Sequence, residues 1–358
     1  MKSDMLFPVL AALIVPAASA EAPVLAYLFT LRRARHPMPH VWANYFKGCR
    51  PGSFRIHIHV DPTFNSTAVE DVGPARAYFS QLHVLPSDQL MKVRRFGHEL
   101  VRARMKLLRY AMSVGPTPLY ASFYSESCAP ISSCAATHAY LLNASKASTH
   151  KSFIEDKRPR PPEQIADSPT WKEEFAKVCP RCASVGLPSR DFRYSPGWVT
   201  LWHEHAAMLL AKEAVYDEAF ATWGWSKLIN GIPDESYWSS LLQHFGAPIT
   251  GTLTTYMEPG DARTGHSKMF TEHDVSYLWS QPAPAFFARK FLPTPRMDAA
   301  LASRVVVATQ SAVGTAESHL VTHVPSSQGK VLGGKGQGGK GQGARWQRDE
   351  KRAEGHNS

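Results

Sequence analysis

The stretch VLAYLF at residues 24–29 indicates the fold class. It is apolar throughout, whereas a strand with one face in water alternates apolar and polar residues. An unbroken apolar run suits a strand covered on both faces, as in a parallel sheet. A second strand, FRIHIHV at residues 54–60, follows and ends at Asp61-Pro62.

A helix and a third strand complete the pattern. Apolar residues recur at three- and four-residue spacing within residues 88–112, which predicts a helix whose basic residues, Arg104 among them, lie mostly on the other face. LYASFY at residues 119–124 is predicted to be a strand, and residues 203–223 a further helix. Strand, helix and strand in this order predict an α/β fold with a mostly parallel central sheet.

Polar residues follow two of these strands. Ligands of open α/β sheets bind beyond the carboxyl ends of the strands. We therefore expect Asp61 and the SESC segment at residues 125–128 to lie where a nucleotide binds. An alternative for Asp61 is the Asp-Pro turn that often ends a strand.

The bulk composition is that of a globular protein. The 358 residues are 44% hydrophobic and 20% charged, with a formal net charge of +10. A basic surface suits an anionic substrate, although it fits an ordinary solvated surface equally well. Nucleic-acid binding is not favoured, because no recognition module or aromatic-interleaved basic stripe is present.

The N-terminus has the pattern of a secretory signal. Lys2 precedes an apolar run over residues 5–16, and Ala18-Ser19-Ala20 supplies a cleavage pattern. We predict a signal peptide or short signal anchor at residues 1–20, and hence membrane association or secretion. Glycosylation sequons at Asn65 and Asn143 agree with that compartment.

The cysteines and histidines do not form a convincing metal site. The five cysteines leave at least one thiol free or paired with another chain, and CPRC at residues 179–182 has no second pair to complete a zinc site. A local disulfide or two plain thiols is the better interpretation. The pairs His57 with His59 and His203 with His205 bring no third ligand.

The two ends and one loop are set apart from the core by composition. Residues 156–169 are rich in proline and charge and are predicted to be a mobile surface loop. The Gly/Lys-rich segment 326–358 cannot bury enough apolar surface to fold and is predicted to be disordered. One domain is expected over residues 21–325.

Several short motifs resemble one known family. Taken together and in the same order, they are similar to the core-2/I-branching β-1,6-N-acetylglucosaminyltransferase family, especially its plant-type branch. The resemblance covers roughly residues 24–295. Its motifs are the first strand with residues 42–47, IHVDP at 58–62, SESC at 125–128, GWV at 197–199 with His205-Ala206, PDE at 233–235 and FARKF at 287–291.

The resemblance implies a GT-A-like α/β domain that faces the Golgi lumen. Members transfer a sugar, best known as N-acetylglucosamine, from a UDP-sugar to a glycan or glycoprotein acceptor. They invert the anomeric carbon and need no divalent metal or other cofactor. The Asp-x-Asp motif that holds a metal in most glycosyltransferases of this fold is absent from the sequence.

The catalytic base implied by the resemblance is Glu235. Inverting transfer needs one carboxylate to accept the proton of the attacking hydroxyl. The neighbouring Asp234 is expected to raise the pKa of the pair or to cap the helix that begins there. Alternatively, both acids are simply N-terminal helix residues favoured by the helix dipole.

The resemblance also implies cations for the leaving diphosphate. Arg289 and Lys290 occupy the matching position, Lys290 more closely, and a second cation is expected at Arg263 or Lys268. The other residues expected to bind substrate are Asp61 at the uracil or ribose, Glu126 at a sugar, and Trp198 stacked in the acceptor site. A packing and disulfide corner at Cys128 and a buried structural Trp198 are the alternatives.

Two other functions remain open from the sequence. The segment at residues 251–269 departs from the family where the second cation should lie. That departure favours an alternative function, in which the chain is a secreted, non-catalytic glycan-binding relative of the same fold. An interaction protein that acts through the Gly/Lys-rich tail is a further alternative.

Overall fold

A five-stranded, mostly parallel sheet forms the centre of the computed structural model. In spatial order its strands are β3 (Leu82–Val84), β2 (Phe54–Val60), β1 (Leu25–Leu31), β4 (Tyr120–Ser125) and β6 (Thr200–Trp202). Strands β1 to β4 run parallel, and β6 pairs antiparallel with β4. The α/β class predicted from the sequence is confirmed.

The structure describes residues 23–32, 38–63, 82–94, 97–156, 168–224, 232–260 and 267–315. The leader at 1–20, the tail at 326–358, the sequon at Asn65 and most of the predicted loop at 156–169 lie outside these residues. Within them, no helix is both long and apolar enough to cross a bilayer.

A small second sheet adjoins the end of β4. It consists of β5 (Ala129–Pro130), β8 (Phe287–Arg289) and β7 (Thr255–Met257), in that order. Strand β8 pairs antiparallel with β5 and parallel with β7. This pairing carries the end of β8 to the chain that leaves β4, which is where the candidate site lies.

Helices cover both faces of the central sheet. Their bounds are α1 (Pro39–Lys47), α2 (Glu99–Ser113), α3 (Cys134–Ala144), α4 (Pro169–Val178), α5 (His203–Phe220), α6 (Pro233–His244), α7 (Val275–Trp279) and α8 (Pro295–Thr315). Short 3₁₀ turns occupy Ser87–Gln89, Ala183–Val185, Ser189–Asp191 and Glu272–Asp274.

The central strand β1 supplies two separate cores. Its residues Leu25, Tyr27 and Phe29 pack with α1, α3 and α8, whereas Ala26 and Leu28 pack with α2, α5 and α6. All five side chains are buried. Because both faces are covered, no polar alternation is needed, and the unbroken apolar run follows.

The helix predicted over residues 88–112 is wrong in its first part. Helix α2 begins only at Glu99. Before it, the backbone N–H of Met91 donates to His59 Nε2 at 3.2 Å, and that of Val93 donates to Asp61 Oδ2 at 3.0 Å. These tertiary hydrogen bonds hold the segment in a non-helical conformation. The placement of Arg104 on the polar face of α2 is also wrong, because this side chain is fully buried.

Two disulfides account for four of the five cysteines. One joins Cys49, just after α1, to Cys134 at the start of α3, and the other is the local Cys179–Cys182 bridge. His138 lies near the first pair in a geometry that could hold a metal, but the two sulfurs are bonded to each other. Cys128 is the remaining thiol and is buried.

The C-terminal helix α8 is tied to the first helix by a buried carboxylate. Asp298 is 2% exposed. Its Oδ1 accepts from the backbone N–H of Val41 at 2.8 Å, and its Oδ2 accepts from that of His40 at 3.1 Å. These N–H groups at the start of α1 have no partner within their own helix. Asp298 therefore acts as a distant N-cap and makes α8 part of the same unit.

Candidate active site

The candidate site lies beyond the carboxyl end of β4. Four segments meet there: residues 125–128 after β4, the loop at 193–198, the first turn of α6, and the end of β8. Strand β8 is brought in by its pairing with β5, and the N–H of Phe291 donates to the carbonyl of Ser127 at 3.2 Å.

Glu235 is the half-buried acid at the centre of this site. It lies in the first turn of α6. Burial and the adjacent Asp234 raise the pKa of Glu235 to about 7. A hydrogen bond from Tyr194 and the charges of Arg289 and Arg104 oppose that shift. A carboxyl with a pKa near neutrality suits a general base.

The backbone of Glu235 is fixed by the same loop. The N–H of Ser195 donates to the Glu235 carbonyl at 2.7 Å. Further along α6, the hydroxyls of Ser239 and Ser240 each donate to the carbonyl of Arg193 at 3.1 Å. The loop at 193–198 is therefore docked along the helix that carries the acid.

Asp234 faces the protein interior. The residue is 4% exposed, and its Oδ2 accepts from Nη1 of Arg104 at 3.1 Å. Burial raises the pKa of Asp234, and the charge of Arg104 opposes this shift. The N-cap of α6 is Ile232 and no side chain caps it, so the prediction that Asp234 caps this helix is wrong. Asp234 does raise the pKa of Glu235, and an acid in the first turn agrees with the helix-dipole interpretation. Direct contact of Asp234 with substrate stays a prediction.

The ring of Trp198 contacts two guanidinium groups. The centre of its ring lies 3.9 Å from Cζ of Arg289 and 4.7 Å from Cζ of Arg104, which are cation–π distances. Trp198 is 8% exposed. This agrees with the alternative of a buried structural tryptophan. Stacking on an acceptor sugar stays a prediction.

The basic residues of the FARKF motif lie at the end of β8. Arg289 is half-buried and burial lowers its pKa, while Cys128, Asp234 and Glu235 act in the opposite direction. An arginine remains protonated in proteins, so the site keeps this positive charge. Lys290 follows it, and its carbonyl accepts from the N–H of Phe270 at 2.8 Å.

The second cation expected from the sequence is not identified among the described residues. Arg263 lies outside them. Lys268 Nζ lies 3.0 Å from Asp274 Oδ1 and 3.4 Å from Glu258 Oε2, so two acids balance its charge. Arg104 contributes a further positive charge to the site, although it is fully buried.

Glu126 and Cys128 border the site on the β4 side. Glu126 forms a surface ion pair with Arg32, at the end of β1, with 3.9 Å between Oε1 and Nε. It also lies close enough to Arg289 to affect its pKa. Burial raises the pKa of the Cys128 thiol, which contacts Ser125 Oγ at 3.6 Å. Cys128 packs here as a buried free thiol, so the disulfide expected at this corner is wrong.

Asp61 lies at the same sheet edge but apart from this cluster. It follows β2, which is separated from β4 by β1, so the two strands are roughly 10 Å apart. Its Oδ1 accepts from the N–H and hydroxyl of Thr63, and Oδ2 from the N–H of Val93. These hydrogen bonds outweigh burial and lower its pKa. They show the predicted turn; nucleoside binding by Asp61 stays a prediction.

The structure thus brings five of the sequence-predicted residues together, with Lys290 next to them in the chain. The five are Glu126, Trp198, Asp234, Glu235 and Arg289. Sequence reasoning missed Arg104 and Tyr194. Arg104 is one of several basic residues in α2, and nothing local marks it as buried. The proximity of Tyr194 to the GWV motif is the only local signal for it.

Comparisons with known proteins identify relatives of this chain. The family model described as Core-2/I-Branching enzyme matches residues 25–278. Glycosyltransferase BC10 from Oryza sativa subsp. japonica is 26% identical over 283 residues, which are 73% of this chain and 64% of that protein. The chain thus spans a little under two thirds of the length of this relative.

Solved structures of low similarity were also found. An active-site mutant of LgtC has a TM-score of 0.41 at 9% identity, covering 80% of this chain and 95% of that one. Mouse xyloside xylosyltransferase 1 has a TM-score of 0.38 at 8% identity, covering 74% of this chain and 97% of that one.

The family model spans most of the chain and contains the segments that form the site up to the end of α6. This chain therefore belongs to the Core-2/I-branching enzyme family.

Proposed function

We propose that this chain is an inverting, metal-independent glycosyltransferase that moves a sugar, N-acetylglucosamine in the first instance, from a UDP-sugar to a glycan acceptor. The observation that carries the proposal is Glu235: a half-buried carboxyl with a pKa of about 7, beside the guanidinium of Arg289. A base and a cation side by side are what inverting transfer from a nucleotide sugar requires.

The proposed reaction is a single displacement. The acceptor hydroxyl oxygen forms a bond to the anomeric carbon, and Glu235 accepts the hydroxyl proton. The bond between the anomeric carbon and the diphosphate oxygen breaks, and UDP leaves with the electron pair. Attack opposite the leaving group inverts the anomeric carbon.

Two cations are proposed to stabilise the leaving UDP. Negative charge develops on the diphosphate as the bond breaks. Arg289 and Lys290 supply positive charge at the end of β8, and Arg289 is held in place by the ring of Trp198. The sequence also lacks an Asp-x-Asp motif. These two features support transfer without a divalent metal.

The cellular setting is proposed from the sequence. The leader pattern at residues 1–20 supports entry into the secretory pathway, with Golgi residence and membrane association through the N-terminus. The Cys49–Cys134 and Cys179–Cys182 disulfides agree with an oxidising compartment.

Donor binding and donor hydrolysis test the proposal on the full chain. Thermal unfolding is measured with UDP and a panel of UDP-sugars in EDTA, followed by release of UDP from each. We expect UDP to raise the unfolding temperature despite EDTA, and one donor to be hydrolysed slowly. A folded sample that responds to no nucleotide would overturn the proposal and favour the glycan-binding relative without catalysis.

A further inference from the structure

Arg104 is a fully buried arginine behind the catalytic base. It projects from α2 and is 0% exposed. Nη1 donates to Asp234 Oδ2 at 3.1 Å, and the guanidinium carbon lies 4.7 Å from the ring of Trp198 and 5.6 Å from that of Phe123. Nε and Nη2 have no hydrogen-bond acceptor among the described residues. One carboxylate and two aromatic faces therefore hold this charge.

The chain leaves room for this ion pair at Gly197. A Cβ atom at this position would overlap Arg104 Nη1 and would lie 2.7 Å from Asp234 Oδ2. It would also lie 3.1 Å from the carbonyl oxygen of Asp234. The absent side chain thus lets the loop at 193–198 pass directly over the pair and reach Glu235.

Stability alone does not account for such a pair. Taking two charges out of water costs about as much as their attraction returns, and apolar residues of similar volume often serve as well. Here the pair is joined to the residue directly before Glu235, in the same helical turn. Its position indicates a role in holding the base.

We propose that Arg104 is a positioning residue for catalysis: through its ion pair with Asp234 it fixes the first turn of α6 and the carboxylate of Glu235. The inference rests on the proposed function, because it presumes that Glu235 is the base. Arg104 itself is fully buried, so it acts without touching the donor.

The pair also sets the charge that Glu235 experiences. Asp234 raises the pKa of Glu235, and Arg104 lowers it. The charged and titratable groups around Glu235 are Asp234 on α6, Arg104 on α2, Arg289 on β8 and Tyr194 on the loop, with Glu155 next to Tyr194. Removal of the Asp234 charge alone lowers the pKa of Glu235, while an asparagine can still accept from Arg104.

The test uses three variants of the full chain and one control. The variants are Arg104→Met, Asp234→Asn and the double substitution. The control is Arg102→Met, on the same helix, which loses a partly exposed ion pair with Asp217 away from the site. Transfer is measured per folded molecule across pH, with the KM for the donor and the thermal shift caused by UDP.

We expect Arg104→Met to lower kcat on the order of 10- to 100-fold, because a displaced base attacks poorly, while the donor KM and the UDP shift stay near wild type. Asp234→Asn should move the acid limb of the kcat profile to lower pH. The double variant should exceed Arg104→Met in kcat, since no unpaired carboxylate remains. Arg102→Met should match wild type.

Two results would overturn the inference. They are a folded Arg104→Met variant with wild-type kcat, and a loss confined to donor KM. If Arg104→Met does not fold, the double variant decides, because wild-type kcat without either partner of the ion pair would overturn the inference. Glu235→Gln separates the proposed function from this inference. Near-normal turnover in Glu235→Gln would refute the base itself, whereas an inactive Glu235→Gln together with wild-type kcat in Arg104→Met would refute only the role of Arg104.

Discussion

The guanidinium carbon of Arg289 lies 3.9 Å from the centre of the Trp198 ring. This contact joins the end of β8 to the loop that holds Glu235 by its carbonyl and its side chain. The cation proposed for the diphosphate and the proposed base therefore belong to one packed cluster. A cluster of this kind keeps its geometry without a bound substrate, which favours catalysis by preorganised charge.

Replacement of Glu235 by glutamine should abolish transfer while the fold and UDP binding remain. The amide cannot accept the acceptor proton, and loss of a general base costs about 10²- to 10⁴-fold in kcat. UDP release and UDP-induced thermal shift measure the two properties. Glu204→Gln, an exposed acid in the first turn of α5, is the matched control. Near-normal turnover of Glu235→Gln would remove it from the mechanism.

The transfer rate should fall in acid with an apparent pKa of about 7. Glu235 must be ionised to act, and burial and then Asp234 hold its pKa there. Below that pH, kcat should decline about tenfold per unit. Because the hydrogen bond from Tyr194 lowers this pKa, Tyr194→Phe should move the acid limb to higher pH. Tyr277→Phe, an exposed tyrosine, should leave it unchanged, and an unmoved limb in Tyr194→Phe would contradict the assignment.

Loss of the Lys290 charge should weaken UDP binding by about tenfold, as expected for one charge-assisted contact. Lys268→Met is the control in the same region, because Asp274 and Glu258 already balance the charge of Lys268. Isothermal titration of UDP into Lys290→Met and into the control, in EDTA, measures both. Equal affinities for the two variants would exclude Lys290 from the diphosphate site.

Substitution of Asp298 by alanine should lower the free energy of unfolding by about 2 kcal/mol, since the N–H groups of His40 and Val41 lose their acceptor. Urea denaturation followed by circular dichroism measures the change. Asp88→Ala, at an exposed carboxylate, is the control and should be neutral. A neutral Asp298→Ala variant would show that α8 is not anchored through this cap.

Stability should fall as the pH drops from about 6.5 toward 4. Burial lowers the pKa of His57 to about 3, and those of His59 and His138 to about 4. Below the unfolded pKa of about 6.5, the unfolded chain therefore binds protons that the folded chain excludes, at about 1 kcal/mol per histidine at pH 5.5.

Unfolding free energies at several pH values test this dependence. His57→Leu should flatten the curve, whereas His273→Gln, at an exposed histidine, should not. A wild-type curve that is flat between pH 6.5 and 4.5 would show that these histidines protonate without unfolding the chain.

Local sequence was sufficient where the physical cause is local. The apolar run at residues 24–29 requires cover on both faces, and the structure gives β1 two cores. The strand at residues 54–60 has the predicted bounds, because its pattern ends at the turn-forming Asp61-Pro62. The segment before α2 was misassigned because its N–H groups are satisfied by His59 and Asp61, and no local pattern reports a tertiary acceptor.

The sequence by itself determined the α/β class, the order of the motifs and Glu235 as the acid to examine. Only the tertiary structure decided that Asp234 is buried against Arg104, and that Arg289 rests on Trp198 beside Glu235. The physical reason is that burial and electrostatic environment depend on which distant segments pack together. The pKa of Glu235 and the burial of Arg104 arise from four segments separated by many residues, so no short window of sequence contains them.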